Sequence, residues 1–174
     1  FEDSKTKYYI DLFEDNIFIT TFNANIFFTN NNPDENKNEI LLSKINSNLN
    51  DIKPNLYILD SFIADSQIFV SGFQFDEDDA KNCKKFRLYR ANLNYQKIKF
   101  KEIYNNNECA FAKFMQAGRI QKYTLNDTNG ILFSMGENEI DKPNELPQDD
   151  NSAYGKIIFL NLSTLETQIF SKGH

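Results

Sequence analysis

Short apolar runs recur along this chain at intervals of about a dozen residues, and Gly, Asn, Asp or Pro bounds most of them. Runs of this length between turn residues are typical of β-strands that follow one another through tight turns. The clearest series lies in residues 115–171, where four runs predict one four-stranded antiparallel sheet. The sequence therefore predicts an all-β fold that is built from meander sheets.

Two earlier parts of the chain carry weaker copies of the same unit. The predicted strands are 7–13, 16–21, 25–29 and 40–45, then 56–63, 67–73, 86–92 and 97–104, then 119–125, 130–135, 156–162 and 167–171. A four-stranded sheet with two apolar faces cannot bury both by itself, and stacking such sheets around an axis is one known solution. The sequence predicts about three β-propeller blades, at residues 7–46, 56–105 and 118–172.

A β-sandwich of a dozen strands is the alternative architecture. In the propeller interpretation, three blades form an open arc whose end sheets expose apolar faces and strand edges. We expect the remainder of the ring to come from chain outside these residues, from a separate fragment or from a second copy.

Composition excludes some classes of function. The formal net charge of -6 argues against a phosphate-binding surface, so nucleic acid is not an expected partner. No stretch is apolar over a membrane-spanning length. The chain begins at Phe1 without a basic and then apolar start, so we expect that a signal peptide has been removed or that the chain is a piece of something longer. A soluble, secreted or periplasmic protein is the expectation.

The two cysteines leave two alternatives open. Cys83 and Cys109 lie beyond the open end of a predicted hairpin that turns near Asn94, and a bridge forms if the loops bring them close. Two free thiols are the other interpretation, because two cysteines specify no framework. A secreted setting favours the bridge.

Several stretches are similar to those of one enzyme family. They are AGRIQKY followed by GILFSMG, then QDDNSAYGKIIFLNL and SKGH, with NIFITTFNANIFF and LYILDSFIADSQIFVSG in the first two units. These stretches resemble the glucose/sorbosone dehydrogenase family, six-bladed β-propellers of which many members oxidise sugars with pyrroloquinoline quinone (PQQ). QDDNSAYGK is the most specific of them. The resemblance implies that the chain covers the first three blades or so of a six-bladed ring.

The catalytic residues of that family do not all carry over. The family's general base, a His four residues before the Arg of the Gly-Arg strand, corresponds to Met115, and a thioether has no useful basicity near neutral pH. By the same resemblance, Thr21 and Glu137 fall where the family holds quinone or substrate. Arg119 is a further candidate for contact with a cofactor: it either points into a central channel or pairs with an acidic loop residue.

The acidic residues near the end of the chain are candidate calcium ligands. Glu137, Asp149 and Asp150 lie in one long predicted loop and offer oxygen ligands, although a solvated acidic loop is the simpler explanation. His174 is the only histidine, so a His/Cys metal cluster or a Ser/His triad is excluded from this chain, and a structural role at a blade junction is expected for it.

These observations lead to three functional hypotheses. The first is a propeller that has kept the sugar-dehydrogenase scaffold, has lost its base and acts by ligand binding or assembly, with carbohydrate as a candidate ligand. The second is an oxidoreductase that uses PQQ and calcium with an altered active site. The third is a lectin-like propeller that two copies close into one ring.

Overall fold

The computed structural model of the protein describes residues 7–30, 41–52, 55–75, 83–109, 117–136 and 145–172. The described residues form three antiparallel sheets of four or five strands, which confirms the predicted all-β, blade-like fold class. Three separate sheets, rather than two sheets packed face to face, also argue against the β-sandwich alternative. The sheets do not close into a ring.

The first sheet contains a four-stranded meander with one added strand. Its strands are β1 (Tyr8–Phe13), β2 (Asn16–Thr21), β3 (Ile26–Asn30) and β4 (Ser43–Ser47), and β8 (Lys97–Ile98) pairs with β4 in parallel. A short helix, α1 (Leu49–Ile52), follows β4. Because β8 comes from the second predicted unit, it ties the first sheet to the second.

The second and third sheets are meanders of four strands each. The second contains β5 (Leu56–Ala64), β6 (Gln67–Phe75), β7 (Lys84–Asn92) and β9 (Lys101–Asn105). The third contains β10 (Ile120–Leu125), β11 (Thr128–Met135), β12 (Lys156–Asn161) and β13 (Thr167–Lys172), with a short helix α2 (Glu145–Gln148) before β12. Two-residue turns with positive φ, at Asp65-Ser66 and Asn126-Asp127, close the first hairpin of each sheet.

The second sheet lies between the other two and is buried on both faces. One apolar cluster, which includes Phe18, Val70 and Tyr89, fills the space between the first and second sheets. The other, which includes Phe73, Phe86 and Phe133, fills the space between the second and third sheets, where the rings of Phe86 and Phe133 stack at 5.4 Å. The first strands of the sheets, β1, β5 and β10, are edge strands, and β5 contacts both of the others.

The structure differs from the predicted strands in two places. The strand predicted at 40–45 lies at Ser43–Ser47, and the strand predicted at 97–104 is divided into β8 and β9. Asn48 explains this division, because its side chain hydrogen-bonds the N–H and the C=O of Phe100 and so occupies the backbone groups of the residue between the two strands. Neither short helix was predicted.

The cysteine alternative is resolved in favour of the bridge. Cys83 and Cys109 form a disulfide across 26 residues. In the described part of the chain, neither helix has the length and apolarity needed to span a lipid bilayer.

Candidate functional site

A polar cleft of about 400 Å³ lies where the edge strands β1, β5 and β10 come together. We call it the inner cleft. The residues that line it are Tyr8, Tyr9, Ile10, Asp11, Leu59, Asp60, Ser61, Phe62, Arg119, Ile120 and Gln121. All three sheets contribute to it, so the cleft exists only when the sheets are stacked. Ligand sites are commonly concave and carry a small number of convergent polar groups, which makes the inner cleft the candidate site.

Asp60 is the buried carboxylate of the inner cleft. A bulge in β5 between Ile58 and Asp60 shifts the register of the strand, and bulges of this kind re-aim a side chain. The Oδ2 atom of Asp60 accepts a hydrogen bond from the Ile120 N–H at 2.9 Å, and its Oδ1 atom lies 3.7 Å from Nη1 of Arg119. Burial raises the pKa of the Asp60 carboxyl above its usual value, although the Ile120 N–H and the Arg119 charge oppose that shift.

Asp11 is the second carboxylate, and it is half-buried on β1. Its Oδ2 atom accepts a hydrogen bond from the Ser61 hydroxyl at 2.8 Å, which links the first sheet to the second. Burial is the main cause that raises the pKa of the Asp11 carboxyl, and the charge of Asp60 adds to it, while the Ser61 bond lowers it. Two carboxyls with raised pKa values in one cleft are a recognised mark of a functional site.

Tyr9 on β1 contributes an aromatic side chain to the cleft. The Tyr9 hydroxyl donates a hydrogen bond to the Ile58 C=O at 2.9 Å, and burial with the nearby Asp60 charge raises the pKa of Tyr9 to about 12. Tyr9 therefore stays protonated at neutral pH. Tyr8 is exposed and lines the same cleft.

A tight backbone contact fixes the residue before Arg119. Gly118 has a φ of 106°, and a Cβ atom there would lie 2.5 Å from the Leu59 Cβ and 3.0 Å from the Ser71 hydroxyl. The Ser71 hydroxyl donates to the Gly118 C=O at 2.5 Å. Only a residue without a side chain fits this close approach. The contact holds the start of β10 against β5 and so sets the position of Arg119.

The structure brings one of the predicted site residues into the cleft. Arg119 lines the cleft with a side chain that is 87% exposed, and its acidic neighbour is Asp60 of strand β5 rather than a loop residue. Thr21 is buried elsewhere, at the end of β2, where its hydroxyl oxygen accepts a hydrogen bond from the Asn25 N–H at 3.1 Å. A role in holding the β2–β3 turn accounts for that contact.

The candidate calcium ligands that the structure describes have protein partners. Asp150 pairs with Lys172, which lowers the pKa of the Asp150 carboxyl, and Asp149 Oδ1 accepts hydrogen bonds from Asn151 at 2.9 and 3.2 Å. Among the described residues, no group of three or more His, Cys, Asp or Glu side chains could hold a metal ion. Met115, Glu137 and His174 lie outside the described residues.

Sequence reasoning missed Asp11 and Asp60, although a signal for both is present. Each is a single acidic residue inside the apolar first strand of its unit, in YYIDLF and in LYILDSFI. A charged residue at such a position is costly to bury unless it has a partner or a role. Comparing the first strands of the units would therefore have drawn attention to this pair.

Comparisons of the chain with protein-family models, with curated proteins and with solved structures find no match. The glucose/sorbosone dehydrogenase resemblance thus stays a prediction from the motifs.

Proposed function

We propose that this chain is part of a non-catalytic β-propeller that binds a small polar ligand, of which carbohydrate is the best candidate, in the inner cleft. The observation that carries the proposal is the meeting of Asp11, Asp60, Ser61 and Arg119 in one cleft of about 400 Å³. A volume of this size accommodates a ligand of one or two sugar rings, since ligand pockets typically measure about 300–1,000 Å³.

The chemistry of the cleft suits hydroxyl groups. A sugar hydroxyl both donates and accepts, and the cleft offers the Asp11 carboxylate as an acceptor and the exposed Arg119 guanidinium as a donor. Hydrogen bonds to ionised groups are the stronger ones. Tyr9 lies on the same face of β1 as Asp11 and offers an aromatic ring for the C–H face of a sugar.

The polar groups are held in place before any ligand arrives. Asp60 is anchored by the Ile120 N–H, and Asp11 by the Ser61 hydroxyl, so neither carboxylate has to be ordered on binding. Preorganisation of this kind improves affinity by lowering the entropy that binding costs.

Oxidoreductase activity at the same cleft is the second candidate function. Asp11 is a carboxyl with a raised pKa at the cleft, and such a group is a candidate general base in place of the histidine that Met115 replaces. Turnover of aldoses when PQQ and calcium are added would favour this alternative. Absence of turnover with retained sugar binding would favour the non-catalytic module.

We further propose that other blades cover the two ends of the row of sheets. Ile10 and Leu12 on β1 are each 67% exposed, and they pair across the strands with Ile19 and Ile17. Such a contiguous apolar face on the first sheet marks an interaction surface.

The other end of the row has a face of the same kind. On the third sheet, Tyr123 and Phe170 are exposed with ring centroids 5.2 Å apart, and Leu132 and Ile157 line an apolar groove of about 390 Å³. These faces suit additional blades, either from the same polypeptide or from another chain.

We also propose that the protein is secreted, because the disulfide favours an oxidising compartment.

A titration with a panel of mono- and disaccharides tests the ligand. We expect dissociation constants on the order of 1 mM, by calorimetry or NMR, and a loss of about tenfold or more in Arg119→Gln and in Asp11→Asn. Both variants replace a charged side chain by a neutral amide, which has the shape of the carboxylate in Asp11→Asn and is shorter than the guanidinium side chain in Arg119→Gln. Lys44→Gln, an exposed change on β4 away from the cleft, is the matched control and should bind as the unaltered protein does. Equal affinities in all four proteins would refute the proposed site.

A further inference from the structure

A second polar groove, of about 300 Å³, lies near the β9 edge of the second sheet, at the side of that sheet opposite to β5. We call it the rim groove. Its lining includes Gln67 and Asn92, the cations Arg90, Lys99 and Lys101, and Leu165 from the turn between β12 and β13. The groove is therefore built by the second and third sheets together, and it shares no residue with the inner cleft.

Positive charge is concentrated in the rim groove, although the whole chain carries a net charge of -6. Of the groove's lining residues, Glu102 is the carboxylate, and its Oε2 atom lies 3.7 Å from Nε of the neighbouring Arg87. Within the described ranges, no carboxylate forms an ion pair with Arg90, Lys99 or Lys101. Three cations and one carboxylate, which is itself next to Arg87, give the lining of the groove a net positive charge.

The register of the sheet makes this arrangement unfavourable in the absence of an anion. Arg90 on β7 and Lys101 on β9 are direct cross-strand partners. Like charges that face each other across two strands destabilise a sheet. An anion between them would remove that repulsion.

The backbone holds the cations in position. Asn48 accepts a hydrogen bond from the Phe100 N–H at 2.8 Å and donates one to the Phe100 C=O at 3.3 Å. Phe100 is buried, so this contact fixes the residue between Lys99 and Lys101. The Arg90 guanidinium donates through Nη1 to the Leu162 C=O at 3.3 Å, which anchors it to the third sheet and leaves other N–H groups for a ligand.

We propose that the rim groove binds the phosphate or sulfate group of a small ligand. A tetrahedral oxyanion with two charges and several acceptor oxygens matches one guanidinium and two ammonium groups. The small volume suits one such group with a few attached atoms. A long polyanion is disfavoured, because the acidic remainder of the protein would repel it. The amides of Gln67 and Asn92, which hydrogen-bond each other at 3.3 Å, provide polar contacts for the remainder of the ligand.

Titration with inorganic phosphate and inorganic sulfate tests the proposal, with sodium chloride at equal ionic strength as the reference for screening. We expect saturable binding with a dissociation constant on the order of 1 mM, weakened about fivefold or more in Lys99→Gln and in Lys101→Gln. Lys97→Gln is the matched control, because Lys97 is an exposed lysine two residues earlier that does not line the groove. Binding of phosphate alone would assign a phosphate ester, and binding of sulfate alone a sulfate ester.

Two results would overturn the proposal: the same response to chloride, or equal weakening by Lys97→Gln. A thermal melt without added anion guards against misfolding, since Lys101→Gln should be at least as stable as the unaltered protein at low salt. Arg119→Gln should leave the phosphate titration unchanged. Failure of anion binding is thus distinguishable from failure of the inner cleft to bind sugar.

Discussion

Removal of the disulfide should destabilise the protein and loosen the third sheet first. Cys83 directly precedes β7, and Cys109 lies shortly after β9. Next to Cys109, the Glu108 carboxylate accepts a hydrogen bond from the Ser152 hydroxyl at 2.9 Å, and the Glu108 C=O accepts one from the Tyr154 hydroxyl at 2.9 Å. The bridge thus fixes Glu108, which follows the second sheet. Glu108 in turn holds residues 152–154, which precede strand β12 of the third sheet.

The magnitude follows from the loop that the bridge closes. For a sequence separation of 26 residues, the chain-entropy relation gives a stabilisation of about 3.5 kcal/mol at 25 °C. For a chain of this size, about 1 kcal/mol corresponds to about 2–4 °C in the melting temperature. The Cys83→Ala/Cys109→Ala variant should therefore melt about 7–14 °C below the unaltered protein.

Equilibrium unfolding in urea measures the free-energy change, and amide hydrogen exchange locates it. Protection of the Tyr154 amide, which donates to the Ser152 hydroxyl at 3.1 Å, should fall more than protection of amides in β2. Reduction of the unaltered protein is the independent control and should give the same shift. A loss of less than about 1 kcal/mol, or an equal loss of protection in β2, would refute the reasoning.

Three further changes test the inner cleft and its support. At pH 7, Asp11→Asn should be as stable as the unaltered protein or more stable. Burial raises the folded-state pKa of the Asp11 carboxyl above 3.8. The free energy of unfolding of the unaltered protein therefore falls as the pH rises through that folded-state pKa, and the amide of the variant avoids this loss. The advantage should vanish in unfolding measurements below about pH 4, and an advantage that persists there would contradict it. Ser71→Ala should lower the free energy of unfolding by about 1–3 kcal/mol, since it leaves the Gly118 C=O without its buried donor. The exposed change Ser171→Ala should lower it little, and equal losses in the two variants would argue against the contact. Gly118→Ala should lower the free energy of unfolding by at least about 2 kcal/mol in the same assay, because its Cβ would lie 2.5 Å from the Leu59 Cβ. An unchanged unfolding midpoint would show that β5 and the start of β10 can move apart freely.

The strands were predictable because their burial follows the sequence period. In β1, exposed and partly buried residues alternate, and in β6 the six consecutive residues 68–73 are all buried, as the nearly continuous apolar run in QIFVSGF indicates. The division between β8 and β9 was not predictable. It depends on Asn48, which lies 52 residues from Phe100 along the chain, and no local pattern reports such a contact.

The candidate site was predictable only in part. Arg119 was singled out by a motif, and the structure places it in the cleft. Asp11 and Asp60 come together only because β1 and β5 are neighbouring edges of different sheets, and because a bulge re-aims Asp60. The repeated runs predicted that the sheets stack, but no pattern in a single sequence reports which edge strands adjoin or where a bulge lies. The sequence showed which strands exist but not which side chains meet.

The double-sided burial of the second sheet sets how freely the chain can vary. From Ile68 to Phe73, every residue of β6 is buried, whichever way its side chain points. Alternate positions on β1, by contrast, face outward. In a library of single substitutions scored for the stability of this chain alone, we expect tolerance at every other residue of β1 and almost none from Ile68 to Phe73 of β6.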